Sequence, residues 1–133
     1  MALRWVATAA VMCLLTACAP SRGDVSVVLD EYTLEASPTT SEPGRVTFDA
    51  GNVGKIEHEL AVLRTALGPG DLPVKDGEVQ TSARGLTLAG KTGRIRSGRS
   101  SILAVTLQPG AYVLICNVPA HYQSGMHAGF RVS

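Results

Sequence analysis

Apolar and polar residues alternate with a period of two over several short stretches of the chain. In the first stretch Val25, Val27 and Leu29 lie on one side of this alternation, and Ser26 and Asp30 lie on the other. Successive side chains of a β-strand point to opposite faces, so the alternation predicts strands with one face in a core. The stretches that we predict to be strands are 24–34, 45–50, 56–65, 86–88, 93–96, 100–107, 111–116 and 128–132.

Segments rich in Gly, Pro, Ser and Thr separate these predicted strands. Segment 35–44 is predicted to be a loop, 51–54 and Pro109-Gly110 are turn signals, and 68–83 is predicted to be a long irregular connection. The sequence has no long amphipathic pattern typical of a helix and no internal repeat. About seven or eight short strands without such a helix predict an all-β protein, an antiparallel β-sandwich.

The predicted strand at 100–107 differs from the others because both of its faces carry apolar residues. Leu103, Val105 and Leu107 lie on one face, and Ile102 and Ala104 lie on the other. This pattern predicts that both faces of the strand are buried.

The first 17 residues have the composition of a cleavable export signal. Arg4 is their only charged side chain, and 6–15 is an apolar stretch too short to span a bilayer. The stretch leads to Leu15-Thr16-Ala17-Cys18, which resembles the lipobox of bacterial lipoproteins. That resemblance implies cleavage before Cys18 and lipidation of this residue. The alternative is an ordinary secretory signal, and both alternatives predict export.

These signals divide the chain into three parts. We expect a signal peptide at 1–17, the lipidated Cys18 with a short tether at 18–23, and one domain at 24–133. The expected location is the outer face of the cell membrane or the periplasm, with the lipid as the membrane anchor.

The charged residues of the chain are nearly balanced. Lys and Arg number 12 and Asp and Glu number 11, and removal of the signal peptide takes away Arg4. A balanced charge in an exported chain does not favour a nucleic-acid partner.

Cysteine usage leaves a single thiol in the predicted domain. Cys13 lies in the predicted signal and Cys18 is the predicted anchor, so Cys116 has no disulfide partner. A lone thiol outside the cytoplasm needs protection by burial, a metal or a partner protein. Met126 is likewise the only methionine that remains after the signal is removed.

Cys116 begins a segment that contains three potential metal ligands. His121 and Met126 follow it at C-x4-H-x4-M spacing. A thiolate, an imidazole and a thioether together suit copper. The candidate for a further ligand is His58, because it alternates with the apolar residues of its predicted strand and therefore points into the core.

Each of these four residues also has an ordinary structural interpretation. Cys116 could be a small buried apolar residue, His121 a surface residue, Met126 a residue that fills a gap in the core, and His58 a hydrogen-bonded core histidine. Their coincidence on one strand and one loop favours a metal site. His127 directly follows Met126, where strand alternation turns it away, so we expect it to lie outside the ligand set.

The segment 116–126, with 52–58 upstream, resembles the cupredoxin family of blue copper proteins. Its C-x4-H-x4-M loop is similar in length to those of rusticyanin, sulfocyanin and auracyanin, and longer than that of plastocyanin. The resemblance implies a Greek-key β-sandwich that holds one type 1 copper ion. The implied ligands are His58, Cys116 and His121 in the equatorial plane and Met126 on the axis.

Two residues depart from the pattern of this family. Ala120 occupies a position where many relatives have Gly, which affects the backbone geometry of the loop. Glu59 follows the upstream histidine, where relatives often have a side chain that hydrogen-bonds to the Cys-bearing strand. The carboxylate of Glu59 either tunes the reduction potential or faces solvent.

The resemblance implies an electron-transfer protein, which the lipid anchor would tether outside the cytoplasm. His121 would be the ligand nearest to solvent, and apolar residues around it would form a small face for the transient docking of redox partner proteins. Those residues are Val118, Pro119, Ala120, Tyr122 and Ala128. We expect the protein to be a monomer.

Other functions remain open for the same residues. A copper chaperone, buffer or resistance protein would use the same fold, although such proteins usually expose several Met and His. Copper enzymes such as nitrite reductases need a further copper ion held by several His, and only His127 remains, so no enzyme activity is predicted. A structural zinc site would not select a thioether. A metal-free adhesion sandwich is the remaining alternative.

Overall fold

The computed structural model describes residues 24–133, which form an all-β domain of eleven strands. The predicted signal peptide at 1–17, the Cys18 anchor and the tether at 18–23 lie outside the described residues. Across 24–133, no helix is long and apolar enough to cross a membrane.

The sequence predicts about seven or eight strands, and eight of the eleven described strands have four or more residues. These longer strands are β1 (Val25–Asp30), β2 (Thr33–Ser37), β4 (Gly44–Asn52), β5 (Ala61–Arg64), β8 (Thr87–Lys91), β9 (Ser100–Leu107), β10 (Gly110–Ile115) and β11 (His127–Val132). The other strands have two residues each and are β3 (Thr40–Ser41), β6 (Val74–Lys75) and β7 (Glu78–Val79). A period of two cannot be recognised in two residues, so the sequence does not predict the short strands.

Two sheets pack face to face and confirm the predicted β-sandwich. One sheet has the strand order β2-β1-β4-β9, the other has the order β3-β11-β10-β5-β8, and β6 pairs with β7. Apolar side chains of both sheets form a core between them, which we call the inter-sheet core. Within it Phe48 of β4 and Phe130 of β11 meet edge to face, with 5.4 Å between their ring centroids. Removing these faces from water is the main stabilising contribution to the fold.

Both sheets are mixed, whereas the sequence predicted antiparallel pairing. β1 pairs in parallel with β4 and β3 pairs in parallel with β11, while the other pairs are antiparallel. Parallel neighbours need a crossover connection, and the chain between each of these pairs is long enough to supply it. Neighbours in a sheet are often distant in sequence, as a Greek-key arrangement requires. Local alternation indicates that a strand exists but not the direction of its partner.

The first predicted strand, 24–34, is a hairpin of two strands. β1 ends before a turn at Glu31 and Tyr32, and β2 follows this turn directly. β2 and β3 also extend into the predicted loop 35–44, which is irregular only in part. Apolar residues continue on both sides of the turn, so the period-two pattern does not locate it.

The prediction that β9 is buried on both faces is wrong. Val105 and Leu107 are buried, whereas Ile102 is 58% exposed and Ala104 is also exposed. β9 lies at the edge of the four-stranded sheet. The outer face of this sheet also carries the exposed Val28, so it is the solvent face of the sandwich.

The five-stranded sheet, in contrast, is covered on both faces. Val62 of β5 and Leu114 of β10 belong to the inter-sheet core, while their neighbours Leu63 and Ile115 belong to a second buried cluster on the other face. We call this second group the outer cluster. Its covering residues come from the connection between β5 and β8 and from the loop after β10, and they are Leu72, Val79, Leu86 and Tyr122.

The predicted strand at 56–65 is regular only in its second half, where β5 lies. Before β5, His58 forms an isolated bridge with Ile95, to which the predicted strand at 93–96 is reduced. The N–H of His58 donates to the carbonyl of Ile95 at 3.1 Å, and the N–H of Ile95 donates back to His58 at 2.7 Å. This bridge holds the backbone of His58 at the end of the sandwich where β5 begins.

Candidate metal centre

Three buried side chains with metal-binding atoms converge where β5 begins and β10 ends. Nδ1 of His58 lies 3.1 Å from Nδ1 of His121. Sγ of Cys116 lies 3.8 Å from the first nitrogen and 3.5 Å from the second. All of these donor atoms lie within 4.8 Å of one another, and we call His58, Cys116 and His121 the donor cluster. In the part of the chain that the structure describes, no other group of three His, Cys, Asp or Glu side chains is placed to hold a metal.

Cys116 reaches this position because it continues the alternation of β10. Leu114 and Cys116 belong to the inter-sheet core, whereas Ile115 between them belongs to the outer cluster. β10 pairs with β5 in the antiparallel sense, with Ile115 opposite Ala61. The end of β10 therefore lies beside the start of β5 and near His58, and the thiol of Cys116 points into the inter-sheet core.

The loop from Cys116 to Met126 is closed by its own hydrogen bonds. The N–H of Cys116 donates to the carbonyl of Met126 at 3.1 Å, and the N–H of Met126 donates to the carbonyl of His121 at 3.2 Å. Within the loop, the N–H of His121 donates to the carbonyl of Val118 at 3.0 Å. These bonds hold His121 and Met126 beside Cys116, as their spacing in the sequence predicts.

The side chains present fit a copper ion. Met126 is fully buried and shares the inter-sheet core with Cys116. Its thioether adds a soft, weak donor to a thiol and two imidazoles. Such a set suits copper, whereas calcium and magnesium take oxygen ligands.

Burial sets the protonation of two of these donors. It raises the pKa of the Cys116 thiol, and the N–H of Glu59, which donates to Sγ at 3.4 Å, acts in the opposite direction. A coordinated cation deprotonates a thiol of this kind. Burial, and after it the charge of His58, lowers the pKa of His121. The His121 imidazole is therefore neutral at pH 7, which is the form that binds metals.

Glu59 does not face solvent, so that interpretation of its carboxylate is wrong. The residue is buried, and its Oε2 lies 3.3 Å from Nε of Arg94. Its backbone N–H is the group that contacts the sulfur of Cys116. Glu59 therefore touches the site through its main chain and pairs with Arg94 through its side chain.

A second carboxylate, that of Glu31, lies against the outer nitrogen of His58. Oε1 of Glu31 is 2.9 Å from Nε2 of His58. The Glu31 carboxylate also accepts hydrogen bonds from the N–H groups of Lys55 and Ile56 at 2.9 to 3.0 Å. The N–H of Ile56, followed by that of Lys55, lowers the pKa of Glu31 to about 2, so this carboxylate is ionised at neutral pH.

The turn that carries Glu31 also contacts the other histidine. The ring of Tyr32 meets the ring of His121 edge to face, with 5.2 Å between centroids. The sequence contains one signal for Glu31. Val27 and Leu29 face the core, and Glu31 follows them at the same spacing of two residues, which places an acidic side chain on the core-facing side. Nothing local relates Tyr32 to His121, because the two residues are distant in the chain.

The surface around His121 is partly as predicted. His121 is 6% exposed, so only an edge of it reaches solvent. Pro119 and Ala120 are exposed beside it, and Val118 and Ala128 are partly buried against the inter-sheet core. These residues leave a small apolar surface next to the donor cluster.

Tyr122 does not belong to this surface, so its assignment to a docking face is wrong. It is 4% exposed and lies in the outer cluster. Its hydroxyl donates to the carbonyl of Pro69 at 2.6 Å and accepts from the N–H of Leu72 at 3.0 Å. The ring of His127 packs against Tyr122, with 5.1 Å between centroids, and His127 is not part of the donor cluster.

Neither a model of a known protein family nor a curated protein sequence matches the chain. Solved structures do match. Na-dithionite reduced auracyanin from the photosynthetic bacterium Roseiflexus castenholzii matches with a TM-score of 0.61 and 20% identity, over 81% of this chain and 94% of that chain. Rusticyanin from Thiobacillus ferrooxidans matches with a TM-score of 0.57 and 18% identity, over 81% and 76% of the two chains.

Auracyanin A from Chloroflexus aurantiacus, described as a "blue" copper protein, matches with a TM-score of 0.53 and 16% identity, over 81% of this chain and 99% of that chain. At such identities the likeness establishes the fold. The fold is the cupredoxin-like sandwich that the resemblance of segment 116–126 implies.

Proposed function

We propose that this protein transfers electrons by means of one type 1 copper ion held by His58, Cys116, His121 and Met126. The observation that carries the proposal is the convergence of two imidazole nitrogens and a buried thiol at one end of the sandwich. The fold is shared with auracyanin A, a "blue" copper protein, which supports copper as the metal.

Bound copper supplies a one-electron redox couple. The part played by the protein is to keep the ligands in the same positions before and after an electron arrives. The bridge to Ile95 holds His58, and the closed loop holds Cys116, His121 and Met126. Ligands that are fixed in advance need little rearrangement between the two oxidation states. In residues 24–133 no second group of three His, Cys, Asp or Glu side chains is placed to hold another metal ion, so we propose an electron carrier and not a copper enzyme.

We propose that redox partner proteins dock transiently next to His121. The edge of His121 reaches solvent beside the exposed Pro119 and Ala120. A small apolar surface suits weak, short-lived complexes of the kind that electron carriers form. We propose that the protein acts as a monomer.

We further propose that the protein works outside the cytoplasm on a lipid anchor at Cys18. The support is the Leu15-Thr16-Ala17-Cys18 motif at the end of an apolar stretch. A lipid tether would restrict the search for partners to the membrane surface.

The test is a titration of the purified protein with Cu(II), followed by visible absorption. We expect an intense thiolate-to-copper band that saturates at one equivalent of copper and bleaches on reduction. Cys116→Ser should abolish the band, because no thiolate remains. His127→Ala is the matched control and should keep the band, because His127 lies outside the donor cluster.

Two outcomes would contradict the proposal. A colourless protein that binds Cu(I) would replace electron transfer by the alternative of copper handling, as in a chaperone, buffer or resistance protein. A band that persists in Cys116→Ser would contradict the assignment of the thiolate ligand.

A further inference from the structure

The turn of Glu31 and Tyr32 covers the donor cluster and contacts both of its histidines. Glu31 contacts Nε2 of His58, and Tyr32 packs on the ring of His121. The carbonyl of Tyr32 also lies against the loop 116–126, which we call the ligand loop. A Cβ on Gly125 of this loop would come within 3.2 Å of that carbonyl oxygen. A single turn of the opposite sheet is therefore in contact with both segments that carry the histidines.

The carboxylate of Glu31 lies in a cradle that fits it. The N–H groups of Lys55 and Ile56 donate to its oxygens, and the ring of His58 lies 2.9 Å away. Gly54 provides the space, since a Cβ at this position would clash with the carboxylate. Two backbone N–H groups, the ring of His58 and the lack of a side chain on Gly54 together determine where the carboxylate lies.

The contact assigns a direction to the imidazole of His58. Nδ1 faces Cys116 and His121, and Nε2 faces Glu31. A metal takes the lone pair of one ring nitrogen. With Nδ1 toward the cluster, the proton lies on Nε2 and is donated to the carboxylate. A hydrogen bond of this kind fixes the tautomer and the orientation of the ring and makes the imidazole a stronger donor.

We propose that Glu31 is a positioning residue of the copper site, whose carboxylate orients the ring of His58 and favours Cu(II) over Cu(I). This inference rests on the proposed function, since it requires copper at the donor cluster. The negative charge and the stronger imidazole donor both stabilise the more highly charged ion. Glu31 therefore lowers the reduction potential of the site.

The first experiment compares the reduction potential of the copper-loaded wild-type protein with that of Glu31→Gln. Glutamine keeps an oxygen that can accept from Nε2–H of His58, but it removes the negative charge. We expect the affinity for Cu(II) relative to Cu(I) to fall about tenfold, which corresponds to a potential higher by about 59 mV. The thiolate-to-copper band should persist, because Cys116 is unchanged.

Two further variants separate the contact with His58 from the general effect of charge. Gly54→Ala leaves Glu31 in the chain but displaces its carboxylate, and it should raise the potential in the same direction. Glu57→Gln removes an equal charge from the residue next to His58. Glu57 is half exposed and its Oε1 lies 3.8 Å from Nε of Arg96, so solvent and this partner screen its charge and the control should shift the potential several times less.

A direct readout is the ring N–H proton of His58, followed by NMR in the diamagnetic Cu(I) protein. We expect slow exchange of this proton with water in the wild type and fast exchange in Glu31→Ala, which has no acceptor. If Glu31 only stabilised the fold, neither the potential nor this proton would change.

The outcomes separate this inference from the proposed function. A wild-type protein without the thiolate-to-copper band would overturn both. A wild-type protein with the band, whose potential equals those of Glu31→Gln and Gly54→Ala, would overturn the role of Glu31 and leave the proposed function intact. A shift in Glu57→Gln as large as that in Glu31→Gln would also overturn it.

Discussion

Ala120 has a left-handed backbone, with a φ of 69°, in the loop that carries three of the four proposed ligands. An L-residue with a Cβ is strained in this conformation by about 1 kcal/mol, whereas Gly adopts it freely. Ala120 therefore has an energetic cost in this structure that Gly would not have.

Ala120→Gly should raise the free energy of unfolding by about 1 kcal/mol, because it removes this strain. The measurement is urea unfolding of the metal-free protein. Ala104→Gly on β9 is the matched control, since Ala104 is also exposed but has the extended backbone of a strand. It should lower the free energy of unfolding by about 0.5–1 kcal/mol. A loss of stability in both variants would contradict the strain in the loop.

The residues of the site differ in how far the sequence predicts them. Cys116, His121 and Met126 share one loop, so their spacing alone brings them together. Glu31 and Tyr32 reach the site from a turn in the other sheet, and only the folded topology relates them to it. The alternation of faces along β1 places Glu31 on the core-facing side. It does not indicate that the carboxylate of Glu31 contacts the imidazole of His58.

At the scale of elements, the connection between β4 and β5 is held in shape by the buried amide of Asn52. Its Nδ2 donates to the carbonyls of Ile56 and Ile95 at 2.7 and 2.8 Å, and its Oδ1 accepts from the N–H of Gly54 at 2.9 Å. This connection leads directly into His58. Asn52 therefore shapes the backbone from which one proposed ligand projects.

Asn52→Ala should lower the free energy of unfolding by roughly 2–3 kcal/mol, because the carbonyl of Ile56 and the N–H of Gly54 lose their partners and the carbonyl of Ile95 keeps only the N–H of His58. Urea unfolding of the metal-free protein measures the change. Ser97→Ala is a control in contact with the same connection, since its hydroxyl makes a single hydrogen bond to the carbonyl of Gly54 at 2.6 Å. That variant should lose about 1 kcal/mol. A larger loss in Ser97→Ala than in Asn52→Ala would contradict the role of the amide.

The strands, like the residues of the site, differ in how far the sequence predicts them. β4, β10 and β11 lie where alternation predicts them, because each is long enough to establish a period of two. β3 has only two residues and exists because it pairs with β11, at the far end of the chain. A strand that depends on its partner in this way leaves no local pattern.

At the scale of the whole molecule, the proposed anchor and the described domain lie close together in sequence. The tether 18–23 has a maximum reach of about 20 Å when fully extended. A lipid on Cys18 would therefore keep the sandwich near the membrane surface.

Cys18→Ser should move the protein from the membrane fraction to the soluble fraction, because it removes the site of lipidation. Fractionation of cells followed by immunoblotting measures the distribution. Cys13→Ser is the matched control, because Cys13 lies inside the predicted signal, and it should leave the distribution unchanged. Membrane association of Cys18→Ser equal to that of the wild type would exclude the lipid anchor.

The architecture of the molecule is predictable in outline. Alternation without a helical period is sufficient for an all-β sandwich. The cover on the outer face of the five-stranded sheet is not predictable, because it depends on contacts between distant segments, such as that of Tyr122 with Pro69 and Leu72. The same contacts remove Tyr122 from the surface to which the sequence assigns it.

Loops that bind ligands usually belong to the least stable parts of a protein. Here Tyr122, the residue after His121, is buried in the outer cluster. The ligand loop therefore shares the packing that stabilises the five-stranded sheet. A substitution that loosens this cluster should therefore also loosen the imidazole of His121. Natural selection for a durable fold and natural selection for a fixed arrangement of the donor atoms therefore act on the same side chains.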